Sequence, residues 1–289
     1  MKDLAGRVAV VTGGAGGVGR ALGVRFAAEG MKVVLADVSE AELDDAVGAI
    51  TGASGDAIGV VTDVTELESV EALADRAYET FGAVHVVCNN AGVGAGAAGK
   101  IWDHTVNDWG WGLAVNLWGV VHGIKAFVPR ILEAGDEGHV VNTSSGNGGI
   151  APLRRTAIYA TTKAAVTTVS EVLYGQLREI DSRIGVSVLF PGPKVLKTGL
   201  LTSSQRRPER WSDGAPPTGP RTMDEVEQRL RDAGVEPDFT PVEDVAAETV
   251  AGIKDDRFWI LPASSRTDAQ IQARATSMLE RTAPTYMER

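Results

Sequence analysis

A short apolar strand that runs into a glycine-rich loop constrains this fold more than any other feature. Residues 7–12 are rich in β-branched side chains, which is typical of a strand buried on both faces. The loop at residues 12–19 follows, and a helical pattern extends from it to about Gly30. Glycines let the backbone approach a pyrophosphate, and a helix N-terminus offers free N–H groups to an anion. We therefore expect a parallel sheet that binds a nucleotide.

Two overlapping glycine patterns fit this loop, so its spacing alone does not select one dinucleotide-binding family. It matches G-x-G-x-x-G at Gly14, Gly16 and Gly19. It also matches T-G-x-x-x-G-x-G at Gly13, Gly17 and Gly19. A flexible glycine turn without a ligand is the alternative interpretation.

The second predicted strand, residues 32–37, ends in an acidic residue that bears on cofactor choice. A carboxylate at Asp37 can accept hydrogen bonds from ribose hydroxyls but repels a 2′-phosphate. The loop also lacks an Arg or Lys that could hold such a phosphate. We therefore predict NAD as the cofactor. The alternative is a cap or turn role for Asp37, although Ser39 and Glu42 form a capping box that would fill that role.

The alternation of strand and helix continues along the chain. Thr65 and Glu68 form a second capping box, which predicts a helix to about Phe81. Ligands bind where the carboxyl ends of parallel strands meet. We predict an α/β fold, a single Rossmann-type doubly wound parallel sheet of about seven strands with helices on both faces, in one domain at 1–289. The further strands are predicted at residues 57–62, 84–88, 139–143, 184–190 and 258–261.

Composition narrows the functional class. A net charge of −10 argues against nucleic acid or an acidic membrane surface as a partner. The lone Cys88 rules out an internal disulfide and suits a reducing compartment. The four histidines show no ligand-like spacing, so we expect no metal site. No stretch approaches the ~18 apolar residues of a membrane span, and we expect a cytoplasmic protein without a signal peptide.

Tyr159 and Lys163 are the strongest candidates for chemistry. They lie four residues apart in a stretch without Pro or Gly, so a helix would place both side chains on one face. A phenol with a pKa near ~10 is a poor base at neutral pH, but a nearby ammonium favours the phenolate. The pair alone is also consistent with two unconnected residues on a helix surface.

Four motifs in this order resemble those of the short-chain dehydrogenase/reductase family, in its compact-length branch. They are the T-G-x-x-x-G-x-G loop, Asp63-Val64, the tetrapeptide at residues 89–92 and Tyr159-x-x-x-Lys163. The match covers residues 5–192, with a weaker match to about 262. The resemblance implies that Asp63 and Val64 lie at the adenine. It implies cofactor contacts at Gly13, Gly17, Val18, Gly19, Asp37, Asp63, Val64, Asn90, Ala91, Gly92, Tyr159, Lys163, Pro191, Gly192 and Thr198.

The resemblance also implies four catalytic positions. Tyr159 would be the general acid/base, and Lys163 would lower its pKa and bind ribose. Asn116 would distort its helix and hold a water that links to the lysine. Ser145 would position the substrate oxygen. It lies fourteen positions before the tyrosine, where many relatives have thirteen, and the neighbouring Ser144 lies one further away.

The last third of the chain is expected to vary most. The run at residues 191–198 is two longer than the family pattern, which leaves Val195 and Thr198 open as nicotinamide contacts. Residues 193–235 suit a substrate loop or lid, with disorder as the alternative, and a short helix is predicted at 223–233. Pro241 is expected at the first position of the next helix. Residues 264–289 are expected to form a helical tail that packs on a neighbour.

Together these features predict an NAD-dependent oxidoreductase that interconverts a secondary alcohol and its ketone. A medium-sized hydrophobic substrate, aromatic or steroid-like, suits the apolar residues at 196–221. A 3-oxoacyl-acyl-carrier reductase and a non-catalytic NAD-binding sensor are the alternatives. The resemblance implies a homotetramer or homodimer built on long helices at 106–132 and 156–180. The tryptophans of the first helix, Trp109, Trp111 and Trp118, are expected in the core or in a subunit contact.

Overall fold

The computed structural model describes residues 1–95, 99–214, 219–232, 234 and 236–287. Within these residues the predicted strands form one seven-stranded parallel sheet, and two short strands pair separately. The strands are β1 (Val8–Thr12), β2 (Lys32–Asp37), β3 (Asp56–Val61), β4 (Val86–Asn89), β5 (Gly138–Thr143), β6 (Ile184–Leu189), β7 (Val195–Leu196), β8 (Phe239–Thr240) and β9 (Trp259–Ile260).

The strands of the main sheet are ordered β3-β2-β1-β4-β5-β6-β9. The direction of winding reverses between β1 and β4. All neighbours in this sheet are parallel. This is the Rossmann-type doubly wound arrangement that the sequence predicts. The switch point lies between the glycine loop after β1 and the polar tetrapeptide after β4, and ligands bind at such points.

Helices cover both faces of the sheet, as predicted. Leu22, Phe26 and Ile253 pack on one face, and Leu73, Phe127 and Ile131 pack on the other. Each fully buried side chain of this kind contributes about 2 kcal/mol through its removal from water. The helices are α1 (Gly17–Ala28), α2 (Glu40–Thr51), α3 (Leu67–Phe81), α4 (Val106–Leu113), α5 (Gly119–Ala134), α6 (Ala157–Glu179), α7 (Met223–Asp232), α8 (Val242–Lys254) and α9 (Ser265–Glu280).

The two predicted capping boxes do not form. Ser39 is the N-cap of α2, but its side chain makes no capping bond in the described structure. The N-cap of α3 is Glu66, because the hydroxyl of Thr65 donates to Asp63 instead. Pro241 likewise precedes α8 as its N-cap, one position earlier than predicted.

The helix predicted at 106–132 extends to residue 134 and is interrupted. A single π-helical turn, Ala114–Trp118, separates α4 from α5. In the part of the chain that the structure describes, there is one helix that is long enough and apolar enough to cross a membrane. It is Val106–Ala134, and half of its most apolar window is buried. A core helix of a globular protein passes the same test, so this is weak evidence for a membrane span.

The variable region and the tail are folded against the rest of the chain. Residues 199–206 and 209–211 form short 3₁₀ helices. The tail contacts the loop after β5, where the Met287 N–H donates to the Pro152 carbonyl over 3.1 Å. Parts of three predicted features lie outside the described residues: positions 215–218, 233 and 235 of the lid, position 233 of the short helix, and positions 288–289 of the tail.

Candidate active site

The loops after β1 and β4 are fastened together at the switch point. The Thr12 hydroxyl accepts the N–H groups of Asn90 and Ala91 over 3.0 and 3.1 Å, and the Asn90 amide donates to the Thr12 carbonyl. A side chain at Gly19 would place its Cβ 2.0 Å from the Gly13 carbonyl oxygen. Gly13 also has a φ of +66° and lies against Ala91. The loop therefore needs glycine at both positions.

The start of α1 fits the diphosphate of a dinucleotide. Its N-cap is Gly16, no side chain in the described structure caps it, and its first turn contains no acidic residue. The N–H groups of this turn, which include that of Val18, are therefore free to bind an anion. A side chain at Gly16 would meet nothing within 4 Å, so the space in front of the helix is open.

Asp37 lies at the edge of the glycine loop, where a ribose would be. Its carboxylate accepts the N–H groups of Ala15 and Ser39 over 3.2 and 3.3 Å. These bonds hold the carboxylate at the end of β2 and leave acceptor capacity for ribose hydroxyls. The geometry is consistent with the interpretation of Asp37 as a ribose ligand.

The predicted adenine position is bonded to a residue that sequence reasoning missed. Asp63 accepts from the backbone and hydroxyl of Thr65 and from the guanidinium of Arg210, the latter over 2.8 Å. Burial alone would raise the pKa of Asp63, but the bonds from Thr65 and Arg210 outweigh it and lower the pKa. Val64 beside it is buried. No local pattern could reveal Arg210, because it lies 147 positions away.

Tyr159, Lys163 and Ser145 come together at the same edge of the sheet. Tyr159 lies near the start of α6, and the Lys163 Nζ is 5.8 Å from the centroid of its ring. The hydroxyl of Ser145 hydrogen-bonds to Tyr159. The Lys163 ammonium donates to the Thr143 carbonyl over 2.7 Å. The structure therefore unites the three side chains that the sequence selects.

The pKa values of the tyrosine and the lysine are both shifted by burial. Burial raises the pKa of Tyr159, and the bond from Ser145 lowers it only in part. Burial also lowers the pKa of Lys163 to about 8. Lys163 is not among the causes of the Tyr159 shift, since its ammonium is bonded to Thr143, and its lowering of the tyrosine pKa stays a prediction.

The two adjacent serines have different partners. Ser145 faces Tyr159, whereas the Ser144 hydroxyl donates to the backbone carbonyl of Lys163 over 2.8 Å. Ser144 is also 2% exposed, so a substrate cannot reach it. The geometry thus favours Ser145 over its neighbour as the residue that would contact a substrate.

Asn116 lies in the π-helical turn and is fully buried. Its amide oxygen accepts the Val93 N–H over 2.8 Å, and its amide nitrogen donates to the Val93 carbonyl and to the Thr162 hydroxyl. These bonds connect the turn to the loop after β4 and to α6. The helix distortion expected at Asn116 is present. Its amide oxygen lies 3.4 Å from where a side chain on Gly92 would begin.

The residues after β6 place Thr198, rather than Val195, against the glycine loop. A side chain on Gly17 would put its Cβ 2.9 Å from the Thr198 methyl carbon. Val195 pairs with Phe239 in the small sheet and is half-exposed. Pro191 and Gly192 follow β6 at the ligand edge of the main sheet.

Residues 199–214, the bridging segment, cross from one side of this cleft to the other. The Gly94 N–H donates to the hydroxyl of the buried Ser203 over 2.8 Å. Arginines of the segment pair with acids on both sides of the cleft. These ion pairs are Arg206 with Glu42, Arg207 with Asp108, and Arg210 with Asp63 and Glu66.

A largely buried aromatic cluster packs beside the start of α6, which carries Tyr159. Trp111 and Ile158 are buried together with Ala95, and Trp211 of the bridging segment packs on them. A side chain at Gly110 would place its Cβ 2.4 Å from the Trp211 ring, so the indole packs directly against α4. Trp118 is half-exposed, and Trp102 is 76% exposed.

The chain resembles known proteins in sequence. Residues 7–208 match a family model described as short chain dehydrogenase. A probable oxidoreductase EphD of Mycobacterium tuberculosis is 38% identical over 194 residues, which cover 67% of this chain. The match covers 32% of that relative, so this chain spans about a third of its length. A C alpha-dehydrogenase of Sphingobium sp. is 30% identical over 262 residues, covering 91% of this chain and 82% of the relative.

A solved structure shares the whole fold. The crystal structure of a short chain dehydrogenase/reductase from Burkholderia phymatum, in complex with NAD, superposes with a TM-score of 0.90. It is 37% identical to this chain, and the match covers all of both chains.

Proposed function

Because the chain belongs to the short-chain dehydrogenase/reductase family, we propose that it transfers a hydride reversibly between a secondary alcohol and NAD⁺. The observation that carries this proposal is the meeting of Tyr159, Ser145 and Lys163 at the edge of the sheet where the glycine loop lies. All three side chains needed for proton transfer are present together, which disfavours a sensor without catalytic activity.

In this mechanism side chains of the protein transfer the proton, and the bound cofactor would supply the hydride acceptor. Tyr159 removes the proton of the substrate hydroxyl as general base. The hydroxyl of Ser145 donates to the substrate oxygen and stabilises the charge that develops there. Lys163, with a pKa of about 8, is largely an ammonium at pH 7 and would bind the nicotinamide ribose. NAD⁺, held by the glycine loop, Asp37 and Lys163, would supply the hydride acceptor for the carbinol carbon.

Asn116 supports the return of the proton to solvent. Its amide is held by Val93 and Thr162, between the loop after β4 and the helix of the tyrosine. We propose that it holds the water through which Lys163 and Tyr159 exchange a proton with bulk water. The geometry that supports this is the proximity of its oxygen and of the Lys163 Nζ to Gly92, at 3.4 and 3.6 Å from where a Cβ on that glycine would lie.

NAD is preferred to NADP because of Asp37. Its carboxylate is fixed beside the glycine loop by two backbone N–H groups. A 2′-phosphate in that position would meet a negative charge. The relative from Burkholderia phymatum, which carries NAD, supports the same choice.

The substrate class that fits best is a medium-sized aromatic alcohol or ketone. Trp111 and Ile158 form a buried apolar cluster on which the partly exposed Trp211 packs, and Ile158 directly precedes Tyr159 along the chain. Aromatic side chains favour aromatic ligands through offset or edge-to-face contacts.

A screen of secondary alcohols with NAD⁺ and with NADP⁺, followed by nicotinamide absorbance, tests this proposal. We expect turnover with aryl alcohols and NAD⁺. Tyr159→Phe should lose at least about a hundredfold in kcat, the usual contribution of general acid–base catalysis, while NADH binding by calorimetry stays unchanged. Tyr174→Phe, in the same helix and 38% exposed, is the matched control and should retain full activity. Near-normal turnover by Tyr159→Phe would refute the assignment.

We also propose that the protein works as a homotetramer in the cytoplasm. The long helices that the family uses for assembly carry exposed apolar side chains here, Trp118 and Val172, each 52% exposed. Multi-angle light scattering of the purified protein tests this, and a monomer at micromolar concentration would contradict it.

A further inference from the structure

Three consecutive residues at the end of β5 all bond to the tyrosine–lysine pair. The Thr143 carbonyl accepts the Lys163 ammonium over 2.7 Å. The Ser144 hydroxyl donates to the Lys163 backbone carbonyl over 2.8 Å. Ser145 bonds to the hydroxyl of Tyr159. Ser144, the middle residue of the three, has no role in the proposed chemistry. Its hydroxyl nevertheless bonds to the backbone carbonyl of the same lysine.

The Ser144 hydroxyl belongs to a small buried network. It lies 2.9 Å from the Thr167 hydroxyl, which is itself 3.1 Å from the Lys163 carbonyl. Both residues are buried, at 2% and 7% exposure. Each hydroxyl has one proton, so with Ser144 donating to the carbonyl, Thr167 donates either to the same carbonyl or to the Ser144 oxygen. The Ser144 N–H is also bonded, to the Leu189 carbonyl of β6.

The bond from the Ser144 hydroxyl to the Lys163 backbone carbonyl differs from the bond that the Lys163 ammonium donates to Thr143. In the proposed mechanism the Lys163 ammonium would also bind a ribose, so its contacts change when the cofactor binds. The bond from Ser144 to the Lys163 carbonyl does not depend on that ammonium, so it persists while the side chain moves. It therefore helps to keep this turn of α6 in register with the end of β5, whether or not a cofactor is bound.

We propose that Ser144 is a positioning residue, whose hydroxyl fixes the Lys163 turn of α6 against β5 and thereby sets the spacing of Ser145, Tyr159 and Lys163. This inference rests on the proposed function. It assigns the serine pair two complementary roles. Ser145 touches the substrate, and Ser144 holds the helix that carries the base.

The test is Ser144→Ala, compared with wild type in kcat, KM and their pH dependence. A small displacement of reacting groups is costly, so we expect kcat at neutral pH to fall by about tenfold. The apparent pKa in the kcat profile should rise, because the phenolate of Tyr159 loses well-placed donors. KM for NAD⁺ should rise less than kcat falls, since the proposed diphosphate and adenosine contacts lie away from Ser144 and are not affected.

Ser170→Ala is the matched control. Ser170 is fully buried in the same helix, donates to the Val166 carbonyl and accepts from Asn142. It does not contact Tyr159, Lys163 or Ser145 through any hydrogen bond in the described structure. This variant should lower the melting temperature about as much as Ser144→Ala but leave the pH profile at its wild-type position.

Thr167→Val supplies a second variant of the same network, in case Ser144→Ala fails to fold. It should shift the pH profile in the same direction, and the two changes together should be less than additive because both hydroxyls serve one carbonyl. An unshifted profile in a folded Ser144→Ala or Thr167→Val variant would overturn the positioning role alone. Absence of turnover in wild type would overturn the proposed function, and this inference with it.

Discussion

At the scale of the single residue, the buried charge of Lys163 lowers the free energy of unfolding. Its side chain is buried, and burial lowers its pKa from 10.5 to about 8. Such a shift corresponds to about 3 kcal/mol of unfolding free energy. The hydrogen bond to Thr143 offsets about 1 kcal/mol of this. A buried lysine in this position is therefore expected to destabilise the fold by about 2 kcal/mol at neutral pH.

We predict that Lys163→Met is more stable than wild type at pH 7, although inactive. The folded-state pKa lies below the unfolded one, so the cost of the charge is full below pH 8. Between about pH 8 and 10.5 the unfolded state binds more protons, and the stability of wild type rises with pH. The advantage of the variant, about 2 kcal/mol at pH 7, should therefore shrink as the pH approaches 10.

Urea unfolding at pH 7 and at pH 9.5 measures this difference. The exposed Lys125→Met in α5 is the matched control and should change stability by less than about 0.5 kcal/mol at either pH. A Lys163→Met variant that is less stable than wild type at pH 7 would show that desolvation of the lysine does not destabilise the fold.

At the scale of the element, the glycine loop and the start of α1 act as one unit. The Cβ of a residue at position 19 would lie 2.0 Å from the Gly13 carbonyl, so the loop and the first turn of the helix cannot both keep their places. The N–H groups of that turn are the proposed anion site. Damage to the packing here should therefore appear first as lost cofactor affinity.

We predict that Gly19→Ala weakens NADH binding by at least about a hundredfold, because several backbone bonds to the diphosphate are misplaced together. Gly48→Ala in α2 is the matched control. A side chain at Gly48 would meet nothing within 4 Å, and alanine is the better helix former by up to about 1 kcal/mol. It should bind NADH normally and melt at a higher temperature. Calorimetric titration with NADH compares the two, and equal affinities would disprove the packing argument.

Local patterns predicted the elements well where one residue's neighbours in sequence decide its conformation. The strands at residues 7–12 and 32–37 and the glycine loop are of this kind. The capping box at Thr65 failed because a carboxylate at Asp63 took the hydroxyl that the pattern assigned to the helix. Motif spacing brought Tyr159 and Lys163 together, since four residues make about one helical turn. It could not show that burial would raise the pKa of the tyrosine.

At the scale of the whole molecule, the bridging segment connects parts of the cleft that are distant in sequence. Arg206 pairs with Glu42 beside the predicted ribose site, 164 positions away. Arg210 pairs with Asp63 at the predicted adenine site. These partners could not be found from sequence patterns, because the pairs depend on the path of an irregular segment. The segment therefore lies across the predicted adenosine end of the cleft.

We predict that replacing both Arg206 and Arg210 with alanine speeds NADH release by about three- to tenfold, since each exposed pair contributes up to about 1 kcal/mol. Stopped-flow displacement of NADH measures the rate. In wild type the rate should rise with salt, because exposed ion pairs are screened, and this salt dependence should weaken in the double variant. Arg231→Ala, which breaks an exposed pair with Glu227 in α7, is the control and should leave the rate unchanged. A double variant with wild-type release would show that the segment does not restrain the cofactor.

The cluster of Trp111, Trp211 and Ile158 also gives the protein an intrinsic tryptophan fluorescence that cofactor binding should change. Indole emission overlaps the absorption band of reduced nicotinamide, and a dihydronicotinamide ring bound near Tyr159 would lie close to these indoles. Energy transfer should therefore quench the tryptophan fluorescence and increase the fluorescence of the reduced cofactor. Occupancy could then be followed in real time without attaching a dye.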